Sequence, residues 1–446
     1  MVTTTADRIL RTYVALVAVS TSAASLIWGV NTLFLLDAGL SIGEAFAANA
    51  FATLGTVLFE VPTGVVADTV GRRASYLLGA ATLLASTLMY PLLWQVGAPF
   101  AAWAVASVLL GLGFTFFSGA TEAWLVDGLT ATGYQGSLES AFAKGQVASG
   151  IAMVVGSIGG GLLAQATNLA VPYLVRAVLL GVTFAVAWWA MHDVGFTPGP
   201  RTSVTAEMRG IVRASLDHGL LNPPVRWLML AAPFGLGVSM YGFYAAQPYL
   251  LELAGRGDSY AIAGLAAALV ALAQILGGLS ASWVGRAFRR RTSVLLGAAV
   301  VATAALALLG LVPEFWVAVT LLAVWGVVFS AALPVRQAFL NGLIPSQQRA
   351  TVLSSDSLLA GTGGVVVQPA LGRAADAWGY GPSYLLGAGV QLLVVPFVLL
   401  ARRERAASDR GLVPGPEHDA LPRENLLVGP DDAPAVGSRA LVAQES

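Results

Sequence analysis

Five ionisable side chains lie inside long apolar stretches of this sequence: Glu60, Glu122, Arg176, Arg336 and Asp356. Asp127 and Asp376 lie nearer the ends of such stretches. A charge at the centre of a membrane-spanning helix costs at least ~2.5–3.5 kcal/mol on insertion scales. Groups of this kind persist where they pair, face water or carry protons. Glu60 has no cation near it in sequence and is the foremost candidate for a proton carrier. Glu122, Asp127, Arg336 and Asp356 read either as titrating groups or as fixed ion pairs that close one side of a bundle. A Glu122–Arg336 pair is expected, with Asp356 as a second partner. Other chemistry finds no support. There is no Walker pattern, no nucleophile–base arrangement and no cofactor fingerprint, so neither an enzyme nor a cofactor is expected. The chain has no cysteine, and His192, His218 and His418 have no ligand neighbours at helical spacing, so no metal site is expected either.

The elements that must position these residues are legible from composition. Hydrophobic residues make up 57% of the 446 and charged residues 11%, against roughly 25% charged in soluble domains. Lipid must be the main solvent, and the fold is expected to be all-α. A span needs ~20 mostly apolar residues, and twelve such stretches occur, at about 12–36, 44–67, 74–96, 100–126, 144–166, 170–191, 225–250, 259–284, 292–311, 315–341, 350–376 and 382–401. The first reads as a retained helix, not a cleaved signal. Basic residues fall on one side of this arrangement: Arg8, Arg11, Arg72, Arg73, Lys144, Arg201, Arg209, Arg213, Arg226, Arg286, Arg289–Arg291, Arg349, Arg402, Arg403 and Arg405. The other side has Arg256 and Arg373. The excess places both termini in the cytoplasm, in a plasma or inner membrane. Formal net charge is zero and gives no sign of a nucleic-acid partner.

A long connection at 193–224 divides residues 1–192 from 225–402, and 403–446 reads as a disordered cytoplasmic tail. The two halves echo each other. Gly64, Gly71 and Arg72 match Gly278, Gly285 and Arg286, and Asp127-Gly128-Leu129 matches Asn341-Gly342-Leu343 at the same offset. Two six-helix units related by pseudo-symmetry follow, with a substrate site between them.

The stretch Gly64-x-x-x-Asp68-x-x-Gly71-Arg72-Arg73 resembles the signature loop of the major facilitator superfamily, over about residues 10–402. The resemblance implies a twelve-helix secondary transporter, monomeric and lipid-embedded, in which this loop latches the cytoplasmic gate. Thr69 stands where a basic residue is common. Phe59–Gly64 and Ser118–Ala123 look like the drug-efflux branch that includes macrolide exporters. Gly156–Gly161 is similar to the antiporter motif of proton-coupled exporters, with Ser157 in place of its proline. The arginine frequent in the fourth helix is absent, with Ser107 near that place.

In the family, helices 1, 4, 7 and 10 line the cavity. That assigns Trp28, Asn31, Phe34, Tyr241, Tyr244, Gln247 and Trp325 to it, with Gln274 from helix 8. Tyr241 and Tyr244 are spaced to share a helix face. Apolar surface with few polar groups suits amphipathic molecules of drug size, and the absence of a cation among the cavity residues so assigned argues against an anionic nutrient. The expected function is proton-driven export of a small amphipathic compound. An importer or facilitator of a small metabolite, or a transport-incompetent receptor or scaffold, are the alternatives.

Overall fold

The computed structural model describes residues 2–198, 204–255, 259–345 and 348–410. Pro200, Arg201, Arg256 and the expected tail beyond Arg410 lie outside the described residues, as does the side chain of Arg286. Among the described residues the secondary structure is helical, without strands. The first half contains α1 (Val2–Trp28), α2 (Asn31–Asp37), α3 (Ile42–Thr69), α4 (Arg72–Gln95), α5 (Phe100–Phe117), α6 (Ala120–Ala131), α7 (Leu138–Ala166) and α8 (Val171–Ala190). A connector with α9 (Val204–Ala214) and a π-helical turn at Ser215–Leu220 follows. The second half contains α10 (Pro223–Leu253), α11 (Tyr260–Ala287), α12 (Arg291–Leu311), α13 (Phe315–Asn341), α14 (Arg349–Trp378), α15 (Tyr380–Leu392) and α16 (Val394–Arg403).

Eleven of the helical segments are long and apolar enough to cross a membrane. The twelfth, α14, has the length but not the hydropathy, because it carries Arg349, Asp356, Gln368, Arg373 and Asp376. It survives in the bundle because protein surrounds it: it packs on α10 and on α3. Three of the expected spans are broken. Gly29–Val30 separates α1 from α2, Ser118–Gly119 separates α5 from α6, and Leu393 separates α15 from α16. At the second break Gly119 adopts a left-handed φ of 70°, so the chain changes direction just before Glu122.

The halves pack alike. In the first, α1 lies on α7 and α8, α3 on α5, and α4 on α5 and α8. In the second, α10 lies on α14 and α16, α11 on α13, and α12 on α13 and α15. The two bundles meet along α3 with α14 and along α7 with α11. That second seam is tight because Gly161 and Gly264 face each other: a Cβ on Gly264 would lie 2.8 Å from the Gly161 Cα. Small residues let helix backbones approach and gain dispersion contact where lipid supplies no hydrophobic drive.

A correspondence beyond the sequence echo appears at the chain segments that leave each bundle. After α8, Asp193 accepts the backbone N–H of Arg73 at the start of α4, 2.9 Å. After α16, Asp409 accepts the backbone N–H and hydroxyl of Thr292 at the start of α12, 2.8 and 3.0 Å. Each carboxylate satisfies orphan donors at a helix N-terminus. Ser408 and Asp409 are buried, so the packed structure extends beyond the 402/403 boundary read from the sequence.

Candidate functional site

A cavity of about 800 Å³ lies between the bundles. From the first bundle, α3 contributes Asn49, Thr53, Thr56 and Glu60, α1 contributes Trp28, and α5 contributes Leu110, Gly111 and Phe114. From the second, α10 contributes Ser239, Met240, Phe243 and Tyr244, α11 contributes Gln274, and α14 contributes Ser354 and Ser357. Glu60 is the one carboxylate among these lining residues. Its Oε1 accepts a hydrogen bond from the Ser118 hydroxyl, 2.9 Å, at the α5–α6 break. Helical geometry explains the α3 contribution: positions 49, 53, 56 and 60 recur at three- and four-residue steps and form one polar stripe. Glu60 and Ser354 also line a second chamber of about 460 Å³, which runs on to Asp68, Arg72 and the connector residues Thr197, Glu207 and Ile211. Glu60 therefore stands where the central cavity meets the passage toward the α3–α4 hairpin.

The opposite end is closed by contacts between the bundles. The Asp376 carboxylate near the end of α14 accepts the Ile42 and Gly43 backbone N–H groups at the start of α3, 2.8 and 2.7 Å. The Gln247 amide donates to the Trp28 carbonyl. The Gly161–Gly264 crossing lies on the same side. The cavity is thus open toward the hairpin and shut at the far end.

At the hairpin, Gly71 takes φ 135° to turn the chain into α4, a conformation that favours glycine. Asp68 pairs with Arg72, and Arg72 lies 3.7 Å from Asp127. Arg73 donates to the Trp188 carbonyl, 2.7 Å, and stacks over the Trp188 ring at 5.0 Å. All these partners belong to the first bundle. The carboxylate of Asp68 is 60% exposed, so the open hairpin end leaves it room for another partner.

The sequence matches the Major Facilitator Superfamily profile over residues 13–257 and 234–436. The chain belongs to this superfamily. It matches no curated protein. Among solved structures it is similar to the nucleoside transporter NupG, with TM-score 0.73 and 12% identity over 89% of this chain and 99% of that one. A bacterial homolog of the human lysosomal transporter Spinster, captured inward-facing and unoccupied, gives TM-score 0.68 and 17% identity over 89% and 97%. A D-xylose–proton symporter gives 0.63 and 15% over 88% and 96%. At these identities the likeness speaks to the fold. The two overlapping profile matches together run from the first bundle through the second, and the chain is a major facilitator transporter with its spans in two bundles.

The structure distributes the expected site residues unevenly. Trp28, Tyr244, Gln274 and Glu60 line the superfamily's central cavity. Asn31 and Phe34 do not, because α2 follows the break at Gly29–Val30 and turns into the first bundle. Asn31 bridges Asn49 and the Tyr173 hydroxyl, both 2.8 Å, and Phe34 packs among Tyr90, Trp103 and Tyr173. Tyr241 and Tyr244 separate despite their spacing. The Tyr241 hydroxyl donates to Ser383, 2.6 Å, and its ring meets Phe46 at 4.8 Å. Trp325 is buried within the second bundle. Gln247 is buried at the far-end closure.

The expected Glu122–Arg336 pair is absent in this conformation. Arg336 makes a two-pronged bond to Asp356, 2.6 Å on each oxygen, and donates to the Leu228 carbonyl, 3.0 Å. Both partners lie in the second bundle. Glu122 follows the α5–α6 break, is exposed, and belongs to none of the ion pairs among the described residues. Sequence reasoning missed Asn49, Thr53, Thr56 and Ser118, although the polar spacing along α3 announces the first three. Among the described residues no three His, Cys, Asp or Glu side chains converge as a metal site would require.

Proposed function

We propose that this transporter exports small amphipathic compounds by proton antiport, with the hairpin end facing the cytoplasm. The observation that carries the reading is Glu60. It is the one carboxylate lining the central cavity, and it sits where that cavity meets the hairpin passage. A carboxylate so placed can take a proton when the cavity faces one side and release it when it faces the other. Re-entry of one proton supplies ~2.3 kcal/mol per 100 mV, which supports a substrate gradient of roughly 50-fold. The orientation follows the basic residues: Arg72, Arg73, Arg289–Arg291, Arg402 and Arg403 all cluster at the hairpin end. The export direction rests on the efflux-like segments at Phe59–Gly64 and Gly156–Gly161. The released hairpin at Asp68, beside a closed far end, fits a cytoplasm-open state awaiting substrate. The cavity is complete within one chain, which supports a monomeric unit.

Proteoliposome transport with an imposed proton gradient tests this. Glu60→Gln should abolish gradient-driven transport while substrate exchange down its own gradient persists. Gradient-driven transport at the wild-type rate in Glu60→Gln refutes the role of Glu60. Accumulation of substrate on the proton-poor side would mark an importer built on the same cavity.

A further inference from the structure

Arg176 is the buried charge for which the proposed transport cycle has no use. It lies on α8 and is 1% exposed. It lines a chamber of about 240 Å³ inside the first bundle, and Trp28 and Phe114 form walls of both this chamber and the central cavity. The ion pairs among the described residues are Asp68–Arg72, Arg72–Asp127, Arg213–Asp217 and Arg336–Asp356. None involves Arg176, and its Nε has no hydrogen-bond partner. Its guanidinium stands 5.9 Å from the Phe114 ring. Tyr173 lies one turn before it on α8. Tyr244 comes from the second bundle and itself lines the central cavity.

An arginine does not shed its proton, and a buried, unpaired charge is costly unless something compensates it. A cation–π contact offsets part of that cost. The remaining opening is the chamber, whose polar lining includes the hydroxyls of Ser20, Thr21 and Ser149. A single fixed positive charge neutralises one negative charge, and a dianion such as a phosphate monoester would bring a second into apolar walls. The guanidinium fork matches a carboxylate in two-pronged fashion.

We propose that Arg176 and its chamber form a subsite for the carboxylate of an amphipathic monoanion whose apolar body lies against Trp28 and Phe114 in the central cavity. The inference rests on that cavity being the transport site. It narrows the substrate class to acids and places a buried cation beside the central cavity.

The test uses the full chain in lipid nanodiscs and calorimetric titration in chloride-free methanesulfonate buffer. The probes are indole-3-acetate, indole-3-acetamide and tryptamine, which share a body and differ in charge. The acid should bind at least about tenfold tighter than the amide, the loss expected for a charge-assisted hydrogen bond. Arg176→Met should bring that ratio to about one without weakening the amide, and Arg176→Lys should keep part of the preference. The acid preference is read as equilibrium binding with no proton gradient imposed, so failure of proton coupling and failure of this subsite are read separately. Equal affinities in the wild type, no binding of the acid, or an acid preference that survives Arg176→Met overturns the proposal. Binding of chloride at Arg176 with no preference for the acid also overturns it, by making the site an inorganic counter-ion position. The wild-type comparison needs no variant and stands even if Arg176→Met does not fold.

Discussion

Asp376 holds the far end shut through two hydrogen bonds, and its removal has a calculable effect. Both oxygens accept backbone N–H groups of the opposite bundle, 2.8 and 2.7 Å, at the first turn of α3. A hydrogen bond to a charged group contributes ≈ 1.5–3 kcal/mol, and an anion at a helix N-terminus a further ~0.3–1. Asp376 is exposed, so water screens much of this, and about 2 kcal/mol for the pair is a fair working figure. Asp376→Ala should then shift the balance between far-end-closed and far-end-open forms by roughly 30-fold. If the open form is about 1% of the wild type, it rises to about 23% in the variant. The chain has no cysteine, so introduced cysteines are the only labelling sites. Spin labels at Asp37→Cys and Ala377→Cys report the far end, and labels at Val70→Cys and Gln337→Cys report the hairpin end. Pulsed dipolar spectroscopy should show a second, longer far-end distance in Asp376→Ala, with a shorter hairpin-end distance rising in step. Asp376→Asn keeps an acceptor oxygen and should shift the balance less. An unchanged far-end distribution in Asp376→Ala refutes the latch.

Two further outcomes follow from packing. Asp356→Asn strands the Arg336 guanidinium, whose side chain is 19% exposed, and should destabilise the second bundle by about 3 kcal/mol, the low end for a broken buried pair. The double variant Arg336→Met/Asp356→Leu should recover most of that loss in unfolding titrations within bicelles, and an Asp356→Asn protein as stable as the wild type would sink the argument. Gly264→Leu places a side chain where the Gly161 backbone already stands, and overpacking of this kind costs ~1–3 kcal/mol. It should populate the longer far-end distance at least as strongly as Asp376→Ala, and an unaltered distance distribution would show that the α7–α11 seam does not set closure.

The fold was legible because its causes are linear in the chain. Apolar length marks the spans, basic residues mark their connections, and the Gly64–Arg73 hairpin marks the family. Of the residues expected at the cavity, Trp28, Glu60, Tyr244 and Gln274 line it. Side-chain direction is set by helix rotation and by breaks, and neither is visible in a list of aromatic residues. Asn31 and Phe34 follow the α1–α2 break into the first bundle, and Tyr241 sits three residues from Tyr244 yet finds Ser383 and Phe46 instead of the cavity. Glu122 shows the same effect, since the left-handed turn at Gly119 sets its direction before any pairing can occur. Arg176 stood out as an intramembrane charge from the beginning. Its lack of a carboxylate partner is a fact of packing, because only the folded bundle shows which carboxylates come near.

The polarity of α14 also bears on how the chain enters the bilayer during synthesis. A helix carrying Asp356, Gln368 and Asp376 partitions poorly into lipid by itself. Its ion-pair partner Arg336 lies on α13, immediately before it in the chain, and the two helices are joined by the short stretch between Asn341 and Arg349. The counter-charge of α14 therefore lies on the helix made just before it. Of the helices that α14 finally packs against, α3 and α10 have both been made earlier. The order of helices along the chain thus delivers the least lipid-soluble segment late, with its counter-charge attached and protein surfaces already waiting for it.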